Sequence, residues 1–267
     1  QDFPGGGQGN LSSITGIGAD REPFRAVTQK KQQRGFTLAE VLITLGIIGI
    51  VAAMTLPALI SKHEKLTTAT KLKKSYSVLA QAIKMSEVSN GSLDDWDYTI
   101  PGQEFWQRYL TNYISISNRT VTETGIRYRY LNGEACQEGF CVRDSYTVFL
   151  SDGSSLIVSS FQGFSNGRVI MIDINGFKEP NMLGKDVFVY AIIKKYGLSP
   201  FGYKDFGYSA PTEDEENPYS YNQVFGEYNR DILTGNQKYA CNKNSRGVWC
   251  AALIIMDGWE IKKDYPW

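Results

Sequence analysis

An uncharged run near the N-terminal end of the chain constrains its structure more than any other feature. Residues 41–61 contain no charged side chain. At about 1.5 Å per helical residue this run spans roughly 31 Å, which matches the hydrocarbon core of a bilayer. A buried helix of a soluble domain is rarely apolar on every face over such a length. The run therefore predicts a membrane-spanning helix at 41–61.

Charged residues on the two sides of the run bear on its orientation. Residues 30–34 read Lys-Lys-Gln-Gln-Arg, with three positive charges and no acid. Because an excess of Lys and Arg marks the cytoplasmic side of a span, we expect a cytoplasmic N-terminus and a head in the periplasm or outside the cell. Lysines on the far side of the run weaken this bias: Lys62, Lys65, Lys71, Lys73 and Lys74.

Glu40 is a carboxylate at the entrance of the apolar run, four residues after Phe36. A charge within the bilayer costs about 2.5–3.5 kcal/mol on insertion scales unless it is paired or reaches the headgroups. One interpretation is a glutamate at the headgroup boundary. In the other, a cut between Gly35 and Phe36 creates an α-amino group, and the amine of a neighbouring subunit pairs with Glu40 and fixes the axial register of a helical bundle.

The sequence Lys-Lys-Gln-Gln-Arg-Gly-Phe-Thr-Leu-Ala-Glu at 30–40, followed by the apolar run, resembles the class III signal of type IV pilins and type II secretion pseudopilins. The resemblance implies that a prepilin peptidase cuts after Gly35 and methylates Phe36. It also implies that Glu40 is the assembly carboxylate. Pro57 lies where the N-terminal helices of this family commonly carry a helix-weakening proline. The head is not identified by this resemblance.

Helical character continues beyond Pro57. Apolar residues recur at spacings of three and four between Leu66 and Met85, and lysines occupy the other faces. A stop signal, Asn-Gly-Ser, follows at 90–92. The pattern predicts one helix over 36–89 with an apolar first half and an amphipathic second half.

The chain thus divides into three predicted segments. Residues 1–35 form a cytoplasmic leader that is removed, and we attach no function to the turn-rich part at 1–29. Residues 36–90 form the long helix. Residues 91–267 form the exported globular head, which is long enough to bury a core.

The head reads as a short helix followed by strands. The helix is predicted at 103–114, and Asp152-Gly153 is a hairpin signal between two strands. The fold class is therefore α+β, and the resemblance agrees with it, since pilin-like heads pack an antiparallel sheet on the long helix. The strand-like runs lie at 126–131, 146–150, 154–160, 169–174, 187–193 and 248–256.

Four cysteines lie in the predicted head, at Cys136, Cys141, Cys241 and Cys250. Their short separations favour local disulfides between the first two and between the last two, although four cysteines allow three connectivities. Export favours oxidation. A zinc site of four thiolates is the alternative, but neither pair has the C-x2-C spacing.

A loop rich in Gly and Pro is flanked by Asp173, Asn175 and Asp186. Ca²⁺ binds several oxygen ligands of this kind. The resemblance points the same way, because some major pseudopilins carry a calcium-stabilised loop. The alternative is an Asx-turned loop without an ion, and no full EF-hand motif is present. We predict no other cofactor.

The amino-acid composition argues against several classes of function. Lys+Arg 28 and Asp+Glu 28 give a net charge of zero, which argues against a general polyanion binder and indicates no nucleic-acid partner. The single histidine, His63, argues against a Ser-His-Asp triad or a His-rich metal site. We predict a non-enzymatic, pilin-like subunit that joins other such subunits, with the help of an inner-membrane assembly platform, in a type II secretion pseudopilus or a type IV pilus.

Two alternatives remain at this point. The chain could be a membrane-anchored extracytoplasmic binding protein whose helix is only a tether. It could also carry an ordinary secretory signal, cleaved near Ala52-Ala53 or retained as an anchor. The length of the apolar run argues against such a signal. So does Glu40, which lies where the uninterrupted apolar region of a signal should begin.

Overall fold

A computed structural model of the protein describes residues 35–121, 127–136, 141, 145–159, 167–194, 196–201 and 229–267. The positive cluster at 30–34 and the rest of the predicted leader before Gly35 lie outside the described residues. The described chain divides into two units, one that ends at Ala52 and one that runs from Ala53 to Trp267.

A single long helix, α1, runs from Leu38 to Asn90. It contains a stretch long and apolar enough to cross a membrane, and none of that stretch is buried within the structure. Pro57 lies inside the helix and does not end it. The helix predicted over 36–89 is therefore confirmed, with both ends within two residues of those observed.

The strands of the described head form one antiparallel sheet whose spatial order follows the chain. A turn with Gly153 at a φ of 86° joins the second and third strands, as the Asp-Gly signal predicts. Every side chain of the second to fifth strands is buried. The strands are β1 (Ile116–Val121), β2 (Tyr146–Leu150), β3 (Ser155–Val158), β4 (Gly167–Asp173), β5 (Val187–Ile193) and β6 (Gly197–Pro200).

The C-terminal half of α1 packs against this sheet. The ring of Tyr76 lies 5.5 Å from that of Tyr190 on β5, and its hydroxyl donates a 3.3 Å hydrogen bond to the carbonyl of Leu198 on β6. The predicted α+β class, with a long helix on an antiparallel sheet, is therefore confirmed. The buried positions of α1 recur at helical spacing: Thr68, Ala69, Leu72, Ser75, Leu79, Ala82, Ile83 and Ser86.

The described head also contains a short 3-10 helix at Leu93–Asp95 and the α-helices α2 (Gly102–Tyr109), α3 (Arg230–Thr234) and α4 (Cys250–Met256). The segment before α2 is tied to β4 by the buried Arg168. Its guanidinium donates hydrogen bonds to the carbonyls of Ser159 (2.8 Å), Tyr98 (2.5 Å) and Ile100 (2.5 Å). The short helix predicted at 103–114 exists but ends earlier.

Two predicted strands are wrong. Within the strand predicted at 248–256, residues 250–256 form the helix α4. A short buried apolar run is compatible with a strand or a helix, and the Ala and Leu residues of this run favour a helix. The described part of 126–131 forms only isolated bridges, from Arg129 to Ala135 and to Met182. The sequence pattern also misses β1 and β6.

The cysteines pair locally. Cys136 is joined to Cys141, with a Cα–Cα distance of 5.9 Å, and Cys241 is joined to Cys250, with a Cα–Cα distance of 4.8 Å. These are the two pairs that the sequence spacing favours over a four-thiolate site. The second disulfide links the N-terminal end of α4 to the loop after α3.

Candidate functional site

The predicted cleavage site lies just before the first helix. Gly35 and Phe36 adopt no regular structure, and the Phe36 side chain is 88% exposed. Among the residues that the structure describes, no atom lies within 4 Å of an ideal Cβ position at Gly35. The peptide bond between these residues is therefore open on both sides, as a protease substrate must be.

Glu40 caps the helix that it enters. The backbone N–H of Thr37 donates a 2.8 Å hydrogen bond to Oε2 of Glu40, and the Thr37 hydroxyl donates to the same oxygen at 2.9 Å. In return, the backbone N–H of Glu40 donates to Oγ1 of Thr37 at 3.2 Å. This reciprocal arrangement is a capping box, which satisfies backbone groups that a helix start leaves open.

The capping box survives the predicted cut. Cleavage after Gly35 leaves Thr37 as the second residue. Both residues of the capping box, and the backbone N–H of Thr37, therefore remain in the cleaved chain. Both hydrogen bonds from Thr37 end on Oε2, so the box does not use the second carboxylate oxygen, Oε1. Sequence reasoning missed the role of Thr37, although the Thr-x-x-Glu spacing is a capping signature.

The predicted cation ligands converge around the loop between β4 and β5. Asp173 ends β4, Asp186 directly precedes β5, and Asn175 lies between them. The amide Nδ2 of Asn175 donates to Oδ2 of Asp186 at 3.2 Å, and its backbone N–H donates to Oδ1 of Asp173 at 3.1 Å. All three predicted residues therefore lie in one cluster.

Asn181 joins this cluster, although the sequence analysis did not select it. Its backbone N–H donates to Oδ2 of Asp186 at 2.9 Å, and that of Met182 donates to Oδ1 at 2.7 Å. Asn181 has a left-handed φ of 50°, which asparagine tolerates better than most residues. The only sequence signal was the Pro-Asn pair within the loop.

Buried oxygens of the cluster lack partners. Among the described residues, Oδ2 of Asp173 and the side-chain oxygens of Asn175 and Asn181 are buried and accept no hydrogen bond. An unsatisfied buried polar atom costs about 1–3 kcal/mol. A hard cation would satisfy these three acceptors, which are two amide oxygens and one oxygen of the Asp173 carboxylate, beside the carboxylate of Asp186.

Burial also opposes ionisation of the two acids. It raises the pKa of the Asp173 carboxyl to about 8, and the nearby Asp186 acts in the same direction. Burial likewise raises the pKa of Asp186, against the hydrogen bonds that it receives from Met182, Asn181 and Asn175. A bound cation would offset this penalty for both carboxylates.

A groove of about 440 Å³ gives access to the cluster. Asn175 and Asp186 line it, together with Glu64 and Lys71 of α1. No group of three Asp, Glu, His or Cys side chains converges in the part of the chain that the structure describes. A cation here would depend on amide and carbonyl oxygens as well as the two carboxylates.

Two family models match the chain. The Prokaryotic N-terminal methylation motif matches residues 30–56, which include the predicted cleavage site and Glu40. The Family of unknown function (DUF6613) matches residues 58–267, which include the amphipathic half of α1 and the head. No curated protein and no solved structure matches the chain. The resemblance to type IV pilins and pseudopilins is therefore supported by the motif at the N-terminal end.

Proposed function

Because the chain belongs to the Family of unknown function (DUF6613) and carries a prokaryotic N-terminal methylation motif, we propose that it is a filament subunit of a type II secretion pseudopilus or a type IV pilus. The motif makes it a pilin-like protein of the class that prepilin peptidase processes. One observation carries the proposal: Gly35, Phe36 and Glu40 fall in register at the entrance of an exposed apolar helix that continues into the head.

The proposed sequence of events follows from the segments of the chain. The helix inserts in the inner membrane with residues 1–35 in the cytoplasm and the head, 91–267, outside it. Prepilin peptidase cuts after Gly35 and methylates Phe36. An assembly platform then transfers the helix from lipid into a bundle of pilin-like subunits, where the amine of Phe36 on one subunit meets Glu40 on its neighbour.

The work of such a subunit is mechanical, and we propose no chemistry of its own. Helix packing supplies most of the assembly energy, because it replaces lipid contacts of the apolar residues with protein contacts. The pair between Glu40 and a neighbouring amine supplies register. Its effect comes from the low dielectric of the bundle, where an unpaired carboxylate is costly.

The first test is the mature N-terminus. The full chain, with the predicted leader at 1–35, is co-expressed with a prepilin peptidase, and the purified product is measured by intact-mass and N-terminal peptide mass spectrometry. We expect a chain that begins with N-methylated Phe36. A Gly35→Leu variant should remain uncut. An unprocessed wild-type chain, or one that starts just after Ala53, would contradict the proposal.

The second test separates a subunit from a tether. A membrane-anchored binding protein would also display its head outside the membrane, but it would stay with the membrane when surface filaments are sheared off. We expect the processed chain to sediment with sheared filaments in cells that contain the assembly machinery. Retention of all processed chain in the membrane fraction would favour the tether.

We also propose that the loop between β4 and β5 binds Ca²⁺. Asp173, Asn175 and Asp186 would supply side-chain oxygens, and Asn181 would supply a fourth. The buried acceptors without partners support this proposal, as does the penalty on ionising two neighbouring carboxyls. The ion would hold together the two ends of the loop between β4 and β5, because Asp173 lies at one end and Asp186 at the other.

The calcium proposal is tested by titration of the metal-stripped full chain in detergent with CaCl2. We expect saturable heat in calorimetry and a rise in melting temperature of several degrees, since a ligand at 100 times its Kd adds about 2.7 kcal/mol. Asp186→Asn should abolish both effects. Asp231→Asn, which changes an exposed acid on α3, should change neither. An equal response of Asp186→Asn and wild type would exclude this site.

A further inference from the structure

A second groove, of about 490 Å³, lies between α1 and the C-terminal segment of the chain. Residues 58–69 of α1 form one wall, and residues 259–263 form the other. Both walls belong to the unit Ala53–Trp267. The proposed calcium loop contributes no residue to this groove.

Four lysines line the groove. Lys62 and Lys65 lie one turn apart on α1, and Lys262 and Lys263 belong to the other wall. Against these four lysines, the groove is lined by a single acid, Glu260. Lys262 donates to Oδ1 of Asp257 at 2.7 Å. A chain with zero net charge thus concentrates positive charge at this place.

Apolar side chains line the groove as well. Leu66 lines it and is 66% exposed, and Trp259 lines the opposite wall. Ala58 and Ala69 carry small side chains, so the helix leaves room beside Leu66. A groove lined by both lysines and apolar side chains matches an amphiphile with an anionic head.

The position of the groove along α1 indicates that the amphiphile is a membrane lipid. Ser61 is the last residue of the uncharged run, and Lys62 follows it directly. On a helix, Lys65 lies about 6 Å beyond Ser61 along the axis. The headgroup layer on each side of a bilayer is roughly 5–8 Å thick. When the run spans the hydrocarbon core, the lysines of α1 therefore lie at the depth of lipid phosphates.

We propose that this groove binds an anionic phospholipid of the membrane that α1 spans. The headgroup phosphate contacts the ammonium groups of Lys62, Lys65 and Lys263. The first acyl carbons lie against Leu66 and Trp259. The inference rests on the proposed membrane insertion, because only a chain embedded through residues 41–61 brings the groove to the headgroups.

The test uses tryptophan fluorescence of the full chain in nanodiscs. Trp96, Trp106 and Trp249 are buried, so lipids with brominated chains quench mainly Trp259 and Trp267. A Trp267→Phe background leaves Trp259 as the reporter at the groove. Brominated phosphatidylglycerol and brominated phosphatidylcholine are compared at equal mole fraction. We expect phosphatidylglycerol to quench at about a threefold lower mole fraction.

Matched variants test the role of the lysines. The triple variant Lys62→Gln, Lys65→Gln and Lys263→Gln should be quenched at nearly equal mole fractions of the two lipids. Salt near 1 M should have the same effect on the wild-type chain, because the Debye length is then about 3 Å. Lys262 is left unchanged because it pairs with Asp257. The control removes three other exposed lysines, Lys73, Lys178 and Lys243, and should keep the preference.

The remaining outcomes overturn the proposal in distinguishable ways. Equal quenching by both lipids would leave the membrane anchor intact and exclude the anionic site. An absence of quenching by either lipid would exclude the site and contradict membrane insertion as well. An unchanged lipid preference in the groove variant, together with a loss of sheared filaments, would make the groove a contact with a neighbouring subunit instead.

Discussion

Glu40 combines two properties at one position, an oxygen that caps α1 and a negative charge, and substitutions can separate them. Glu40→Gln keeps a Thr-x-x-Gln capping box but removes the charge, whereas Glu40→Ala removes both. Thr37→Ala weakens the cap by about 1 kcal/mol and keeps the charge. If the charge sets the register, both Glu40 variants should be cut normally but lose filament yield at least about tenfold, since an unpaired charge remains buried on the neighbour.

The measurement is the fraction of processed chain in the sheared-filament pellet, with cleavage followed by mass spectrometry. Thr37→Ala is the matched control and should assemble close to wild type. A Glu40→Gln chain that assembles normally while Thr37→Ala fails would assign Glu40 to helix capping and remove the registry role.

The two candidate sites differ in how completely the local sequence predicts them. The capping box involves only Thr37 and Glu40, so four consecutive residues contain the whole site. The cation cluster requires the β4–β5 loop to fold back on itself. Asp173 and Asp186 attract notice as acids beside turn residues, but Asn181 becomes a ligand candidate only through its contact with Asp186. No local pattern encodes that contact.

Among the elements, α1 was predictable and α4 was not, and their lengths explain the difference. A pattern sustained from Leu38 to Asn90 excludes any strand. The apolar run at 250–256 is seven residues long and buried except at its end, so it fits a strand or a helix equally well. The tertiary contacts of this segment, which include the disulfide to Cys241 and the packing of Cys250 beside the turn at Gly184, are not contained in the local sequence.

Arg230, at the start of α3, is bound by two carboxylates near the C-terminus. Its guanidinium donates to both oxygens of Asp257, at 3.0 Å each, and to both oxygens of Asp264, at 2.7 and 3.0 Å. Burial opposes ionisation of Asp257, but the hydrogen bonds from Arg230 and Lys262 lower its pKa below the usual value. The hydrogen bond from Arg230 also lowers the pKa of Asp264.

These shifts fix the sign of a pH dependence. Both pKa values are lower in the folded than in the unfolded chain, so the ion pairs stabilise the fold above about pH 4, and this contribution disappears as the pH falls through the folded values. Arg230→Gln should lower the melting temperature of the detergent-solubilised chain at pH 7 and lower it less at pH 2, where protonation weakens the ion pairs. Arg127→Gln, an exposed control, should be neutral throughout. An equal deficit of Arg230→Gln at both pH values would contradict the ion-pair account.

For the whole molecule, the sequence predicts the layout better than the strand order. A span, an amphipathic extension and a head of alternating strands are each visible in composition and periodicity. The order of β1 to β6 follows from antiparallel pairing of consecutive strands, but β1 and β6 lack a clear apolar alternation, since β6 reads Gly-Leu-Ser-Pro. Pairing with β5 makes that segment a strand, and pairing is a property of the folded head.

The orientation of the chain in the membrane depends on the positive charges on both sides of the span, and the two sides favour opposite orientations. Three positive residues precede the span at 30–34, while five lysines follow it at 62–74. We expect the upstream cluster to stay in the cytoplasm, because it lies within the methylation motif at 30–56 and prepilin peptidase acts on such motifs at the cytoplasmic face of the membrane. A C-terminal fusion to alkaline phosphatase, which is active only outside the cytoplasm, should therefore be active. Neutralising the three upstream charges should reduce that activity several-fold, whereas neutralising Lys71, Lys73 and Lys74 should not. An inactive wild-type fusion of normal abundance would place the head in the cytoplasm and contradict the filament proposal.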